Sequence, residues 1–297
     1  MNLLNFIPQV QTVSFRGRKI HVVRDDLSDK FISGNKFRKL YFLLKKDFLP
    51  LKIITSGGIQ SNFLLAISRF CFLKKIELVY VVRQIPKFLK ENPIGNYKFA
   101  KEFGTKFYEL ETQIFRNSEL RDKLIKEKFS GEKALFIEFG GAENKTLEGM
   151  QNLVKSVNFV KNLKVILPSG TGSSSYFLQK ALLEIGKENE VHTVSCVGNS
   201  DYLKKQFSHY KGLVPLKFPV IIENDLKRPF GKVPKEIGDF YFEFLEETGI
   251  ELDLLYGSYT LFHVLKNTDF NDFCYIHTGG IIGNESLKIS GKKISEI

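Results

Sequence analysis

The chain contains no tryptophan, only two methionines, and three cysteines, Cys71, Cys196 and Cys274. The cysteines are odd in number, scattered and set in apolar surroundings. No CxxC spacing occurs, which excludes a disulfide framework and a zinc site, so no metal is expected. They read as buried small hydrophobes of a reducing compartment. There is also no uncharged apolar run of about 18 residues, so no membrane-spanning helix is expected. The opening residues, MNLLNFIPQVQTVSF, lack the basic stretch followed by an apolar run that marks a signal peptide. A soluble, cytoplasmic protein is the resulting expectation.

Acidic residues are in deficit. Lys and Arg number 44 against 33 Asp and Glu, a net charge of +11. Such an excess suits a nucleic acid or a small anionic ligand. The lysines are spread along the chain in pairs such as Lys45-Lys46, Lys74-Lys75 and Lys204-Lys205, without a basic block interleaved with aromatics. Nucleic-acid binding is therefore an alternative motivated by net charge alone, and no nucleic-acid partner is expected.

What the chain does have is length and apolar content. Its 297 residues, 43% of them hydrophobic, allow two domains with full cores. Short apolar runs rich in Val, Ile and Phe predict strands at 19–24, 51–56, 76–82, 105–110, 134–139, 164–169, 191–197, 218–223 and 273–278. Helical spacing lies between them, for example at 60–73, 93–103, 144–160, 173–187 and 234–249, with Gly104, Gly186 and Gly249 where helices should stop. Continuously apolar strands alternating with helices predict an α/β fold with mostly parallel sheets. The polar stretch 157–164 is a candidate crossover between domains.

Four glycine-containing segments adjoin these strands. Ser33-Gly34-Asn35-Lys36-Phe37-Arg38-Lys39-Leu40 opens a helix after 19–24. A Schiff-base lysine needs a place where its amine can lose a proton and reach an aldehyde, although a solvated basic helix start has the same pattern. Ser56-Gly57-Gly58-Ile59-Gln60-Ser61-Asn62 joins strand 51–56 to helix 60–73. Its hydroxyls suit an N-cap, an anion contact or a nucleophile. Ser169-Gly170-Thr171-Gly172-Ser173-Ser174-Ser175 carries two glycines and several hydroxyls at a helix start, which makes a phosphate cradle. It is neither a Walker loop nor GxGxxG. His277-Thr278-Gly279-Gly280 follows the last strand, at the carboxyl end where α/β folds place ligands.

In this order the four segments resemble the pyridoxal-phosphate (PLP) dependent 1-aminocyclopropane-1-carboxylate (ACC) deaminase and D-cysteine desulfhydrase family. This is a branch of the tryptophan-synthase-β-like, fold-type II enzymes. The likeness runs from Arg24-Asp25-Asp26 to His277-Thr278-Gly279-Gly280 and includes Gly-Asn-Lys-x-Arg-Lys-Leu and Gly-Gly-x-Gln-Ser-Asn, both intact. It implies two three-layer α/β domains, a larger one from 1–45 plus 161–297 and a smaller one from 46–160, and a homodimer. It also implies roles. Lys36 matches the lysine that carries the cofactor and moves protons at the substrate carbon. Ser61 matches the serine at the substrate, and Asn62 the asparagine beside the cofactor's 3-hydroxyl. Gly170, Thr171, Gly172, Ser173 and Ser174 match the phosphate cradle, and Lys39 a lysine that supports it. Tyr256 matches one of two active-site tyrosines, in the family's Asp-Pro-Val-Tyr segment, and Thr278 falls near the pyridine ring.

Three positions depart from the pattern. The second tyrosine is replaced by Phe230 in Pro229-Phe230-Gly231-Lys232-Val233-Pro234. The Glu or Thr that usually follows the first is Gly257, with Ser258 close by. The His or Gln that often follows Ser-Asn is Phe63. The expected activity is that of a PLP-dependent lyase or deaminase releasing ammonia and a 2-oxo acid from a small amino acid. The alternative is a PLP-binding protein with weak or altered activity.

Overall fold

The computed structural model describes residues 3–141, 144–210, 217–224, 230–289 and 292–293. In chain order the elements are β1 (Val10–Phe15), β2 (Arg18–Val23), α1 (Gly34–Leu44), β3 (Lys52–Ser56), α2 (Asn62–Lys74), β4 (Glu77–Arg83), α3 (Lys87–Glu91), α4 (Gly95–Glu102), β5 (Lys106–Leu110), α5 (Thr112–Arg116), α6 (Ser118–Lys128) and β6 (Leu135–Phe136). They continue with α7 (Thr146–Ser156), β7 (Lys164–Ile166), α8 (Ser173–Glu184), β8 (Val191–Val194), α9 (Ser200–His209), β9 (Val220–Ile222), α10 (Lys235–Thr248), α11 (Gly257–Asn267) and β10 (Asp272–Ile276). The chain divides into two compact units, Met1–Leu44 with Glu143–Ile297, and Lys45–Ala142.

The larger unit holds a six-stranded sheet in the order β1-β2-β10-β7-β8-β9. All neighbours are parallel except β1 and β2, a hairpin joined by Arg16-Gly17. Side chains alternate faces along a strand, and here both faces are covered. Phe273 and Tyr275 of β10 pack with Phe240, Phe244 and Leu261 of α10 and α11. Cys274 and Ile276 pack on the opposite face with Leu153, Phe177 and Leu178 of α7 and α8. This double coverage explains the uninterrupted apolar strands and gives the expected three layers.

The smaller unit holds a parallel sheet in the order β5-β4-β3-β6. Ile54, Val79 and Val81 pack against Phe115, Ile125 and Phe129 on one face. Helix α2, with Phe63 through Phe70 largely buried, packs on β4 and α4. Phe63 is therefore a core residue.

Three features differ from the expectations. Strand β1 was not expected, because its exposed edge reads Val-Gln-Thr-Val-Ser-Phe, with only Phe15 buried. Helices α6, α9 and α11 also lacked a predicted counterpart. Helix α7 belongs to the larger unit, whereas the expected smaller domain ran to 160, because α7 packs between α1 and α8. The α1–α7 contact is intimate. A Cβ on Gly149 would lie 2.0 Å from the Arg38 carbonyl oxygen. Cys71 and Cys274 are buried, and burial pushes both thiols up to about 12. Among the described residues no helix is long and apolar enough to cross a membrane.

Candidate active site

Within the larger unit, three of the four glycine segments converge. Helix α1 begins at Gly34, in the left-handed region at φ 56°, and a Cβ there would lie 2.2 Å from the Thr278 carbonyl carbon and oxygen. The start of α1 thus lies backbone against backbone on the loop that follows β10. The next residue, Asn35, donates from Nδ2 to Ser174 Oγ at 3.1 Å, which ties α1 to the start of α8. Lys36 follows in the first turn of α1. It is only partly exposed, and the loss of solvent around its amine lowers its pKa to about 8, against the opposing pull of Asp253. Lys39 lies three residues on along α1 and is buried. The helix is anchored by Arg38, fully buried, whose Nε and Nη2 bond the buried Asp25 carboxylate at 3.0 and 2.5 Å. Removing one partner of such a buried pair is strongly destabilising.

The 169–175 loop is internally braced. Ser169 Oγ and Ser175 Oγ are 2.7 Å apart, Ser175 donates to the Gly172 carbonyl at 2.9 Å, and Thr193 donates to Ser169 Oγ at 2.7 Å. Gly172 precedes α8 at φ 79°, where a Cβ would meet Leu203 and Phe207 at 2.7 and 2.8 Å. No side chain caps this end. The first-turn N–H groups lack intrahelical acceptors, and the helix dipole makes the site attractive to an anion.

Tyr256 stands beside this loop. A Cβ on Gly170 would come 3.2 Å from its ring. The Phe230 ring lies edge-on to Tyr256, with centroids 5.9 Å apart. Of the segment around Phe230, Pro229 lies outside the described residues. Gly257, next in sequence, is enclosed: a Cβ would sit 2.9 Å from both Asp253 Oδ2 and the Tyr275 hydroxyl. Ser258 is fully buried, and its hydroxyl has no hydrogen-bond partner among the described residues.

Two residues to which the sequence assigned no role of their own complete this region. Asp253 is buried and accepts the Tyr256 and Gly257 N–H groups, each at 2.8 Å, so it caps α11 and fixes the backbone of Tyr256. Burial raises its pKa, against those two hydrogen bonds. Its signal was the aspartate of the Asp253-Leu254-Leu255-Tyr256 segment. His277 accepts from the Gly279 N–H through Nδ1 at 3.1 Å and donates from Nε2 to the Glu251 carbonyl at 2.7 Å, which makes it the neutral Nε2–H tautomer. It braces the Thr278 loop against the chain leading to Asp253.

Ser61 and Asn62 lie in the smaller unit. Ser61 caps α2 through an Oγ that accepts from the Phe63 N–H at 3.1 Å. Asn62 Oδ1 accepts from Asn96 Nδ2 at 2.8 Å. A Cβ on Gly57 would overlap the Tyr80 hydroxyl at 2.1 Å, so the turn after β3 has room only for glycine.

No protein-family model matches the chain. A Pyrococcus furiosus protein with the provisional name 1-aminocyclopropane-1-carboxylate deaminase is 26% identical over 306 residues, covering 94% of this chain and 89% of its own length. The mitochondrial bifunctional D-cysteine desulfhydrase/1-aminocyclopropane-1-carboxylate deaminase of Arabidopsis thaliana is 23% identical over 297 residues, covering 90% of this chain and 73% of its own. Among solved structures, an ACC deaminase homologue superposes with a TM-score of 0.72 at 21% identity, covering 95% of this chain and 94% of that one. The structural likeness bears out the α/β, tryptophan-synthase-β-like architecture.

Proposed function

Because the chain is related over nearly its whole length to the ACC deaminase and D-cysteine desulfhydrase proteins, we propose that it is a PLP-dependent lyase or deaminase releasing ammonia and a 2-oxo acid from a small amino acid. The seam in the larger unit carries this reading. The backbone of Gly34 on Thr278, and Asn35 bonded to Ser174, join a lysine of lowered pKa to a hydroxyl-rich, uncapped helix start.

The residues present fit PLP. The cofactor brings an aldehyde, a phosphate and an aromatic ring. Lys36 would hold the aldehyde carbon. Gly170, Thr171, Gly172, Ser173 and Ser174 would hold the phosphate, with the buried Lys39 adding positive charge. Asn62 would meet the ring's 3-hydroxyl, and Thr278 would lie near the ring. When bound, the cofactor supplies an electron sink for the substrate's α-carbon.

The chain's own groups supply the rest. A pKa lowered to about 8 makes the neutral Lys36 amine far more abundant near neutral pH than that of an ordinary lysine, which suits it to meet an aldehyde. Once free of the cofactor, the Lys36 amine would be the base that takes the substrate's α-proton. Ser61, whose Oγ accepts from the Phe63 N–H, would present its hydroxyl to a substrate carboxylate. Tyr256 stands beside the 169–175 loop, its backbone held by Asp253, and its hydroxyl would meet the substrate. Phe230, edge-on to Tyr256, removes the second hydroxyl on which ring opening depends. Elimination of a β-substituent needs only the base at the α-carbon, so D-cysteine is the preferred candidate.

The second reading, a PLP-binding protein with weak turnover, rests on the same Phe230 and on Gly257. Incubating PLP-loaded protein with ACC, D-cysteine and D-serine and assaying 2-oxo acid separates the two. The expected result is 2-oxo acid and sulfide from D-cysteine. Retained cofactor with no 2-oxo acid from any of the three would leave the binding reading. Failure to retain PLP would reject both.

A further inference from the structure

We propose that Asn96 is a positioning residue that fixes the orientation of the Asn62 side-chain amide, so that Asn62 offers hydrogen-bond donors rather than its oxygen to the cofactor. This rests on the reading in which Asn62 meets the 3-oxygen of the PLP ring. It concerns only the smaller unit.

The geometry follows from which atoms can only accept. Asn96 is the second residue of α4 and is fully buried. Its Nδ2 donates to the Gln60 backbone carbonyl at 2.9 Å and to Asn62 Oδ1 at 2.8 Å. The Gln60 carbonyl has no hydrogen, so the group facing it must be the Asn96 NH2. That NH2 cannot accept, so the Asn62 atom facing it must be the oxygen. The Asn62 nitrogen is thereby turned away from Asn96, on a side chain that is only partly buried. One buried amide thus fixes the orientation of the amide next to it.

The surrounding bonds hold both partners in place. Gln60 Nε2 donates to the Ile94 carbonyl at 3.0 Å, and Gln60 Oε1 accepts from the Tyr97 N–H at 3.4 Å. The turn before α2 is therefore clasped to the start of α4 from both sides. Asn96 Oδ1, by contrast, is buried with no hydrogen-bond partner among the described residues. A buried acceptor left unmade is unfavourable, so the useful part of Asn96 is its pair of donors. An electron-rich ring oxygen is well matched by the two N–H groups of Asn62. A flipped amide would set oxygen against oxygen.

The test is a double-mutant cycle on the full chain. PLP affinity and the visible spectrum of the bound cofactor are measured for the parent, Asn96→Ala, Asn96→Asp, Asn62→Ala and the two doubles. Thermal melts check folding, and Asn96→Ser, which keeps one donor, serves if the other Asn96 variants do not fold. Asn96→Asp should weaken PLP binding about tenfold or more, the scale of a charge-assisted hydrogen bond, and Asn96→Ala several-fold. Both should move the visible band toward shorter wavelength, and both effects should vanish in the Asn62→Ala background. If Asn62→Ala weakens PLP binding but the Asn96 changes cost as much with it as without it, the positioning role is wrong and the Asn62 reading survives. If Asn62→Ala binds PLP with unchanged affinity and spectrum, the Asn62 reading fails and the positioning role with it.

Discussion

Lys36 is one of many lysines in a basic chain, and its environment distinguishes it from the rest. The partly closed surroundings that lower its pKa to about 8 are opposed by the nearby Asp253 carboxylate, which favours the charged form. Only the neutral amine attacks a carbonyl, and its fraction rises with pH. Modification of Lys36 by a carbonyl reagent with reduction, followed by peptide mass spectrometry, should reach its half-maximal rate near pH 8, whereas ordinary lysines titrate near 10.4. Asp253→Asn should move that midpoint lower, because the charge that favours the protonated amine is gone. An unchanged midpoint would show that the carboxylate acts only as a cap. Gly257 poses a different residue-scale question, since the family resemblance implies Glu or Thr there. The space is filled by Asp253 Oδ2 and the Tyr275 hydroxyl, each 2.9 Å from a Cβ. Tyr275 is fully buried, and its hydroxyl has no hydrogen-bond partner among the described residues. Gly257→Thr should cost about 1–3 kcal/mol by overpacking. The loss should be smaller in a Tyr275→Phe background, read from denaturant midpoints of the four variants.

At the scale of elements, α1 and the loop after β10 form the joint on which the site is built. Gly34 combines a left-handed φ with a Cβ position inside the Thr278 carbonyl. Gly34→Ala should therefore lose roughly 2–5 kcal/mol, strain and overlap together, and should also weaken PLP retention, since Lys36 follows two residues later. A stable Gly34→Ala protein with normal retention would show that the seam is not what places the lysine. Much of this level was legible in advance. Continuously apolar strands predicted parallel sheets covered on both faces, and the glycine- and hydroxyl-rich segment after β7 was expected to open a helix, as it does at α8. What was not legible depends on partners distant in sequence. Strand β1 exposes most of its side chains and joins the sheet only through its ladder with β2. Helix α7 joins the larger unit through Gly149, which seats on the Arg38 backbone, a contact between residues far apart in sequence. Asn96 and Asp253 are ordinary polar residues in sequence, and their roles come from the atoms they face.

Over the whole molecule, the described lysines often pair with nearby carboxylates. Lys164 and Lys217 both bond Glu190, each at 2.7 Å, and hold its carboxyl down at about 2. Lys52 bonds Glu132 and lies 3.0 Å from Glu77. Surface and half-buried pairs of this kind contribute little stability each. Under the proposed function, the binding event that would matter for the whole chain is that of PLP. A ligand that binds only the folded state stabilises it by about 2.7 kcal/mol at a hundredfold excess over Kd, so thermal melts with rising PLP should show a concentration-dependent increase in Tm. The increase should be lost in Lys36→Ala. The most direct test of the central claim is borohydride reduction of PLP-loaded protein followed by peptide mapping. The account predicts one cofactor mass per chain on the peptide containing Lys36, and none on that peptide in Lys36→Ala. An unmodified Lys36 peptide, or cofactor spread over the exposed lysines, would contradict it.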